Sequence, residues 1–353
     1  MTAIGSWTGR EARALRHALR LSVRAFAEYL DVAPRTVSKW DKLGQATRPY
    51  PDQQALLDTA LDRAGPAAQE RFILLLGGTA APAVRSPEIP ACWDYESWTD
   101  DLDRAVAALS HQDFAATARL LEHWLSRFPA GGLDERGLYL HARSLVLLGD
   151  SRRDQGQLRG PRSAAQAYHT ALGMFAELGI PRRVAQAELS LTVVAEMTGQ
   201  LGPATRGYAR LADDERLSAR DRARARLWIG TALSKDGQHG PAARVIITAA
   251  RELEELGEAE EWSVAHQKLA LAYRGAGDLG RAQRLIAIAR DSGADDTPLQ
   301  KVRLAAAQAH ILLTDPATRV EGLTLLDSTA GLAAASGLSH QVSTIQSIRT
   351  LAS

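Results

Sequence analysis

The chain of 353 residues has no asparagine and one cysteine, Cys92. A lone thiol excludes an intrachain disulfide framework and fits a reducing compartment, so Cys92 reads as a linker residue rather than a redox centre. Long apolar runs are missing too: none approaches the ~18 residues of a membrane span, and no apolar secretion signal opens the chain. The expectation is a cytoplasmic protein without membrane contact. Catalytic motifs are equally scarce. GxxxxGK[ST], HExxH and GxSxG do not occur, and no two of the nine histidines stand at an i, i+4 metal spacing. The string GAGDLG (Gly275 to Gly280) satisfies GxGxxG literally, but dinucleotide binding needs a strand before it, and here the flanking periodicity is helical. No enzyme activity, cofactor or metal is expected.

What the chain does have is helical periodicity almost throughout. Apolar residues recur at three and four spacing, alanine and leucine abound, and alternating β-branched runs are missing. The fold class is all-α. Charge is balanced overall, with 42 basic and 41 acidic residues, but the balance is uneven along the chain. Residues 1–50 carry nine Lys/Arg against four acids, an excess of five, which leaves residues 51–353 four net negative. A basic head on a mildly acidic body suits a DNA-binding tip whose body phosphates repel. Three prolines and little periodicity mark residues 77–92 as a linker. It separates a head at 1–76 from a body at 93–353.

In the head, Ala12 to Gly44 predicts three helices in close succession. The first covers about Glu11–Arg20. Ser22 is an N-cap for the second, Val23–Leu30, and Asp31 to Ala33 form a tight turn. Pro34 opens the third at the one position where its missing N–H costs nothing, and that helix runs to about Asp41. Leu15, Leu19, Leu21, Phe26, Ala27, Leu30, Val32, Val37 and Trp40 form the expected core. Pro34, Arg35, Thr36, Ser38 and Lys39 are left on the outer face. Helices starting at Pro51 and Pro66 complete a five-helix unit.

This stretch resembles the Xre/phage-repressor family of helix-turn-helix domains. The resemblance implies that the third helix enters the major groove of double-stranded DNA. Arg35 is then the expected base reader, through guanine O6 and N7, with Lys39 beside it one turn on. Ser22, Arg24, Thr36 and Arg48 are expected to hold phosphates. Val23 stands where the family often has glutamine, which removes one usual contact. Arg16 and Asp41 match a family ion pair that fixes the fold rather than reading DNA. A homodimer on a palindromic operator is expected, joined through the fifth helix (Phe72, Ile73, Leu76) or through the body.

The body contains internal repeats. Ile229 to Ala249 aligns with Leu269 to Ala289, and Leu191 to Leu211 follows more loosely. The turn glycines Gly199, Gly237 and Gly277 lie 38 and 40 residues apart. Small residues (Gly230, Ala270) precede larger ones (Leu233, Tyr273) on the first helix of each unit, and Ala204, Ala242 and Ala282 recur on the second. Small residues let antiparallel helices approach, and large ones fill the next gap. These landmarks resemble the tetratricopeptide family, with expanded repeats. Five or six helix pairs form an α-solenoid from Asp94, and Gly337 to Ser353 caps it.

Joined to such a head, the repeats resemble the peptide-pheromone-responsive regulators of bacteria. The resemblance implies a signal-responsive DNA-binding regulator with a peptide, a small molecule or a partner protein on the inner face. Those regulators grip peptide backbones with asparagine; here glutamine or arginine would have to serve. The expected inner-face residues are Gln186, Val193 and Glu196, then Leu227, Thr231 and Ser234, then Gln267, Leu271 and Arg274. The alternative is a repeat-based interaction scaffold with vestigial DNA binding. The acidic run from Glu252 to Glu261 reads as a solvated helix end, and Trp93, Trp98, Trp124, Trp228 and Trp262 read as packing residues. His17, His111, His123 and His141 read as surface or capping residues.

Overall fold

A computed structural model describes residues 7–77, 90–292 and 297–352. Most of the expected linker therefore lies outside the described residues. Those described are almost wholly α-helical and contain no strand, as the periodicity implies. Two compact units result, Met1–Pro87 and Glu88–Ser353.

The first unit holds α1 (Gly9–Ala18), α2 (Val23–Tyr29), α3 (Pro34–Leu43), α4 (Pro51–Arg63) and α5 (Pro66–Gly77). Its helix ends follow local chemistry. The Thr8 side chain accepts from the Arg10 amide while Glu11 reaches back to the Thr8 amide, a reciprocal cap. Ser22 Oγ accepts from the Ala25 amide at 3.1 Å, and Pro34 starts α3. Asp31 turns α2 into α3 at a φ of 53°, and the Val32 amide closes back on the Ala27 carbonyl at 2.9 Å.

The core gathers Leu15, Phe26, Ala27, Leu30, Val37 and Trp40, with Leu19, Leu21 and Val32 partly buried against it. Trp7, Leu57 and Phe72 join them from outside the three central helices. Trp7 donates from Nε1 to Asp58 Oδ1 at 2.7 Å, and its ring lies 5.9 Å from that of Phe72. Phe72 is 1% exposed, so it cannot form the dimer surface expected of the fifth helix. Filling this small core takes precedence, because truncating such a buried phenylalanine costs about 3–5 kcal/mol. Leu76 is likewise partly buried against the core, and the Ile73 side chain lies outside the described residues.

The second unit is a run of antiparallel pairs: α6 (Cys92–Ser110) with α7 (Phe114–Arg127), α8 (Glu135–Asp154) with α9 (Ala164–Glu177), and α10 (Pro181–Met197) with α11 (Leu201–Ala212). Next come α12 (Ala219–Lys235) with α13 (His239–Glu255), α14 (Ala259–Gly275) with α15 (Leu279–Asp291), and α16 (Pro298–Leu312) with α17 (Arg319–Ala335). A final helix, α18 (Ser339–Ala352), ends the array. Ala204, Ala242 and Ala282 are fully buried at the crossings. Gly199, Gly237 and Gly277 take φ of 81°, 78° and 83°, the left-handed turn conformation that glycine adopts without a Cβ clash.

First helices touch first helices (α10 with α12, α12 with α14, α14 with α16, α16 with α18), and α18 returns to α8. Gln112 Oε1, in the α6–α7 turn, accepts from the Leu299 amide of α16 at 3.0 Å. Phe114 joins Leu326, Leu338 and Ile345 in one apolar cluster. The solenoid thus closes on itself around an interior lined by its first helices.

Three expectations are corrected here. Trp93 is 71% exposed at the start of α6 and packs no core, whereas Trp98 and Trp124 stack at 5.4 Å as expected. His141 is buried, with its Nδ1 3.1 Å from the Phe128 carbonyl oxygen, because α8 is the helix on which the α6–α7 pair packs. The acidic run is solvated only in part: Glu254, Glu255 and Glu260 are exposed as expected, whereas Arg220 of α12 pairs with Glu258 at 3.0 Å and Glu261 at 2.5 Å, and Arg226 pairs with Glu252.

Close approach decides what each glycine tolerates. A Cβ on Gly230 would collide with the Ile246 side chain and stand 3.1 Å from the Ala242 carbonyl, whereas Gly173 of α9 faces open space. Gly230→Ala is expected to destabilise the second unit by about 1–3 kcal/mol through overpacking. Gly173→Ala is expected to stabilise it by about 0.5–1 kcal/mol through helix propensity. Thermal or urea unfolding checks both, and equal midpoints for the two variants would refute the packing account.

Candidate functional site

In the first unit, α3 divides cleanly into two faces. Val37 and Trp40 are 1% and 3% exposed, locked into the core, while Pro34, Arg35, Ser38 and Lys39 are exposed and Thr36 half-buried. Ser22, Arg24 and Arg48 are also exposed. No hydrogen bond or ion pair among the described residues engages the Arg35 or Lys39 side chain. Ser22 Oγ accepts the α2 cap bond and keeps its own hydroxyl proton to donate. The amides at the α2 N-terminus add a partial positive charge beside Ser22.

One ion pair orients this face. Arg16 of α1 reaches Asp41 of α3 at 2.8 Å and also donates to the Leu21 carbonyl at 3.0 Å. The same guanidinium therefore clasps the end of α3 and the chain entering α2. With side chains only 12% and 20% exposed, the pair is largely desolvated, and removing one partner would strand the other.

The interior of the second unit is the other candidate. A cavity of about 260 Å³ is lined from α8, α10 and α12, and Gln186 and Val193 border it as expected. Arg143, Arg153, Arg183 and Arg224 line it together with Asp150 and Asp221. Gln186 is engaged on both sides, accepting from Arg183 at 2.9 Å and donating to Asp221 at 3.0 Å. Arg153 pairs with Asp150 at 2.7 Å and Asp154 at 3.1 Å, and Tyr168 donates to Asp150 at 2.7 Å. Burial and those carboxylates hold the Tyr168 hydroxyl up, so it remains a donor.

Further along the interior, Lys235 pairs with Glu196, Lys268 feels the charge of Glu196, and Arg303 those of Asp154 and Glu196. Arg224 has Glu261 at 3.8 Å, so seven cations stand against five carboxylates among these residues. The carboxylates have partners: Glu196 accepts from Tyr208 at 2.8 Å and pairs with Lys235 at 2.7 Å, while Asp221 has Arg182 at 3.9 Å. Lys268 and Arg303 have no carboxylate at ion-pair distance among the described residues. The surplus is positive.

Several expected groove residues are already committed to partners or to the core. Thr231 is buried and bonds back to the Leu227 carbonyl, and Leu227 itself belongs to the core. Gln267 is 2% exposed and donates to the Arg303 carbonyl at 2.6 Å. Glu196 is buried between Tyr208 and Lys235, and Ser234 stands 3.5 Å from His239 Nδ1. Leu271 is half-buried against the α15–α16 core, and Arg274 donates to Thr314 Oγ1 at 3.3 Å.

The expected face was rotated by about one residue on α12 and α14. The repeats carried the correction: Ser190, Trp228 and Lys268 are spaced by the same 38 and 40 residues as the turn glycines. Ser190 and Trp228 both line the cavity, and Lys268 lies over Trp228.

No protein-family profile matches the chain, and no curated protein matches it. Solved structures do. A Rap protein in complex with competence and sporulation factor superposes with a TM-score of 0.53 at 14% identity, covering 97% of this chain and 98% of its own. Aspartyl phosphate phosphatase F from Bacillus subtilis superposes with a TM-score of 0.51 at 11% identity, covering 99% and 96%. At these identities the likeness establishes the helical-repeat fold.

Near the far end of α16, burial and the Arg274 charge push His310 down to about 4. The unfolded value of about 6.5 is higher, so protonation favours unfolding. The contribution of neutral His310 is complete above about pH 6.5 and is lost as pH falls through about 4. His310→Gln is expected to lose less stability between those pH values than the parent chain, read from unfolding midpoints across the range. Parallel pH profiles would refute the assignment.

Proposed function

We propose that the chain is a cytoplasmic, signal-responsive transcription regulator that binds double-stranded DNA through α2 and α3 and takes its signal in the interior of the repeat array. The observation that carries this reading is α3 itself. Arg35 and Lys39 project outward, unengaged, from a helix whose other face is anchored by Val37 and Trp40. Any surface helix has two such faces; what turns this one into a DNA reader in the proposal is its place in the Xre-like unit, where the third helix enters a major groove. The Xre-type resemblance assigns Arg35 to a guanine edge, with Pro34, Ser38 and Lys39 against the groove wall. The same resemblance assigns Ser22, Arg24, Thr36 and Arg48, all exposed or half-buried, to the phosphates. A single such unit makes few contacts, so a homodimer on a palindromic site is part of the proposal.

The signal-binding half rests on the enclosed, polar interior. The similar Rap structure contains competence and sporulation factor, which supports a received signal, peptide or otherwise, as the role of the repeats. No catalytic group is assigned.

Selection of bound sequences from random duplex DNA tests the DNA reading. The parent chain is expected to enrich one motif, with affinity falling steeply as salt rises. Arg35→Ala should lose about 1–3 kcal/mol of preference at one base pair, with unfolding unchanged. Lys39→Ala should weaken binding and, where it holds a phosphate, lower the salt slope by about one. Enrichment of no motif by the parent chain would sink the reading in favour of a repeat scaffold.

A further inference from the structure

Lys268 and Arg303 stand on neighbouring first helices, α14 and α16, which touch each other. Both residues are only half-buried by exposed area, yet burial is the largest influence lowering both cations' affinity for their protons. The two observations agree if the side chains face an enclosed, water-filled interior, which closure of the array by α18 onto α8 provides. Lys268 Nζ lies 5.7 Å from the centre of the Trp228 ring, whose indole borders the cavity. Gln267 donates to the Arg303 carbonyl and so ties the backbones of the two helices together beside the cations. Its Oε1 is buried without a partner.

Two like charges held this way repel each other, and among the described residues no carboxylate stands at ion-pair distance from either. The carboxylates that act on them from farther away are already taken, Glu196 by Lys235 and Tyr208 and Asp154 by Arg153. In a concave, low-dielectric enclosure such a pair concentrates positive potential where a small anion can enter. We propose that the interior holds an oxyanion, a carboxylate or a sulfate- or phosphate-like group, between the Lys268 ammonium and the Arg303 guanidinium, with the Trp228 indole as its wall. This rests on the interior being the signal site and names the chemistry of the part of the signal that lodges there. Arginine presents a planar fork to the oxyanion and lysine a point charge, which together hold one anionic head.

The site is also linked to protons. Burial first, then Arg303 and Lys235, lowers Lys268 to about 7, and Glu196 opposes them only partly. At pH 8 the free site therefore holds mostly neutral amine. An arriving anion raises the lysine's affinity for its proton, so binding takes up to one proton from solution.

Calorimetry of the full chain at pH 8, at constant ionic strength and in two buffers of different ionisation enthalpy, tests this with sulfate and succinate, neither of which titrates there. One of them is expected to bind saturably with net proton uptake, and which one does distinguishes a tetrahedral oxyanion from a carboxylate. Lys268→Met, which keeps the aliphatic stem, and Arg303→Gln should each weaken that binding at least tenfold, and Lys268→Met should abolish the proton uptake. Lys268→Met removes a cation that burial penalises, so its unfolding midpoint at pH 7 should equal or exceed the parent's. That variant decides the matter alone if Arg303→Gln fails to fold. No saturable binding of either anion, or equal binding by parent and Lys268→Met, would overturn the proposal. Both variants should keep Arg35-dependent DNA selection, so failure here and failure of the DNA reading are separate results.

Discussion

The Leu299 amide donates to Gln112 Oε1 across 187 positions of sequence, and around that bond the last helices of the repeat array pack on the first. Phe114 sits in the same apolar cluster as Leu338 and Ile345, and α18 reaches α8. An open superhelix would leave its inner face as ordinary solvated surface. Closure turns that face into an enclosure. The water inside is confined, the effective dielectric falls, and each unbalanced charge acts at greater strength. This is why Lys268 and Arg303, half-exposed by area, behave as buried cations.

Closure in turn depends on how near the helices of each pair can come. Gly230 lies against Ile246, and Ala242 and Ala282 are fully buried at equivalent crossings. Small side chains at the crossings fix a short separation, and Leu253, Leu269 and Ile246 fill the space on either side. Charged groups between repeats add less. Arg220 with Glu258 and Glu261 is a partly exposed network, and such pairs contribute about 0–1 kcal/mol each. Apolar packing sets the architecture, and the ion pairs are laid over it.

The first unit shows the same division of labour at smaller scale. Trp7 and Phe72 complete a core that three short helices could not fill, and Arg16 joins α1 to Asp41 at the end of α3. With its inner face and its end both committed, α3 has one orientation left, and Arg35 and Lys39 point outward as a result. Phe72 illustrates the cost of that economy: a residue that looked available for dimerisation is consumed by the core.

Much of this was legible in the residues. Periodicity gave the helices, Ser22 and Pro34 their starts, and the recurrence of Gly199, Gly237 and Gly277 the repeat. The alternation of Val37 and Trp40 with Arg35 and Lys39 set the two faces of α3, because a helix of 3.6 residues per turn admits no other arrangement. These are local or periodic properties, and a linear code can carry them. Which residues look into the interior was decided elsewhere. A rotation of one residue on α12 and α14 exchanges Leu227 and Gln267 for Trp228 and Lys268, and the angle at which neighbouring pairs stack sets that rotation. The stacking angle, the closure of α18 onto α8, and the recruitment of Trp7 and Phe72 to one core all depend on contacts between residues far apart in sequence, whose geometry exists only once the whole array has packed.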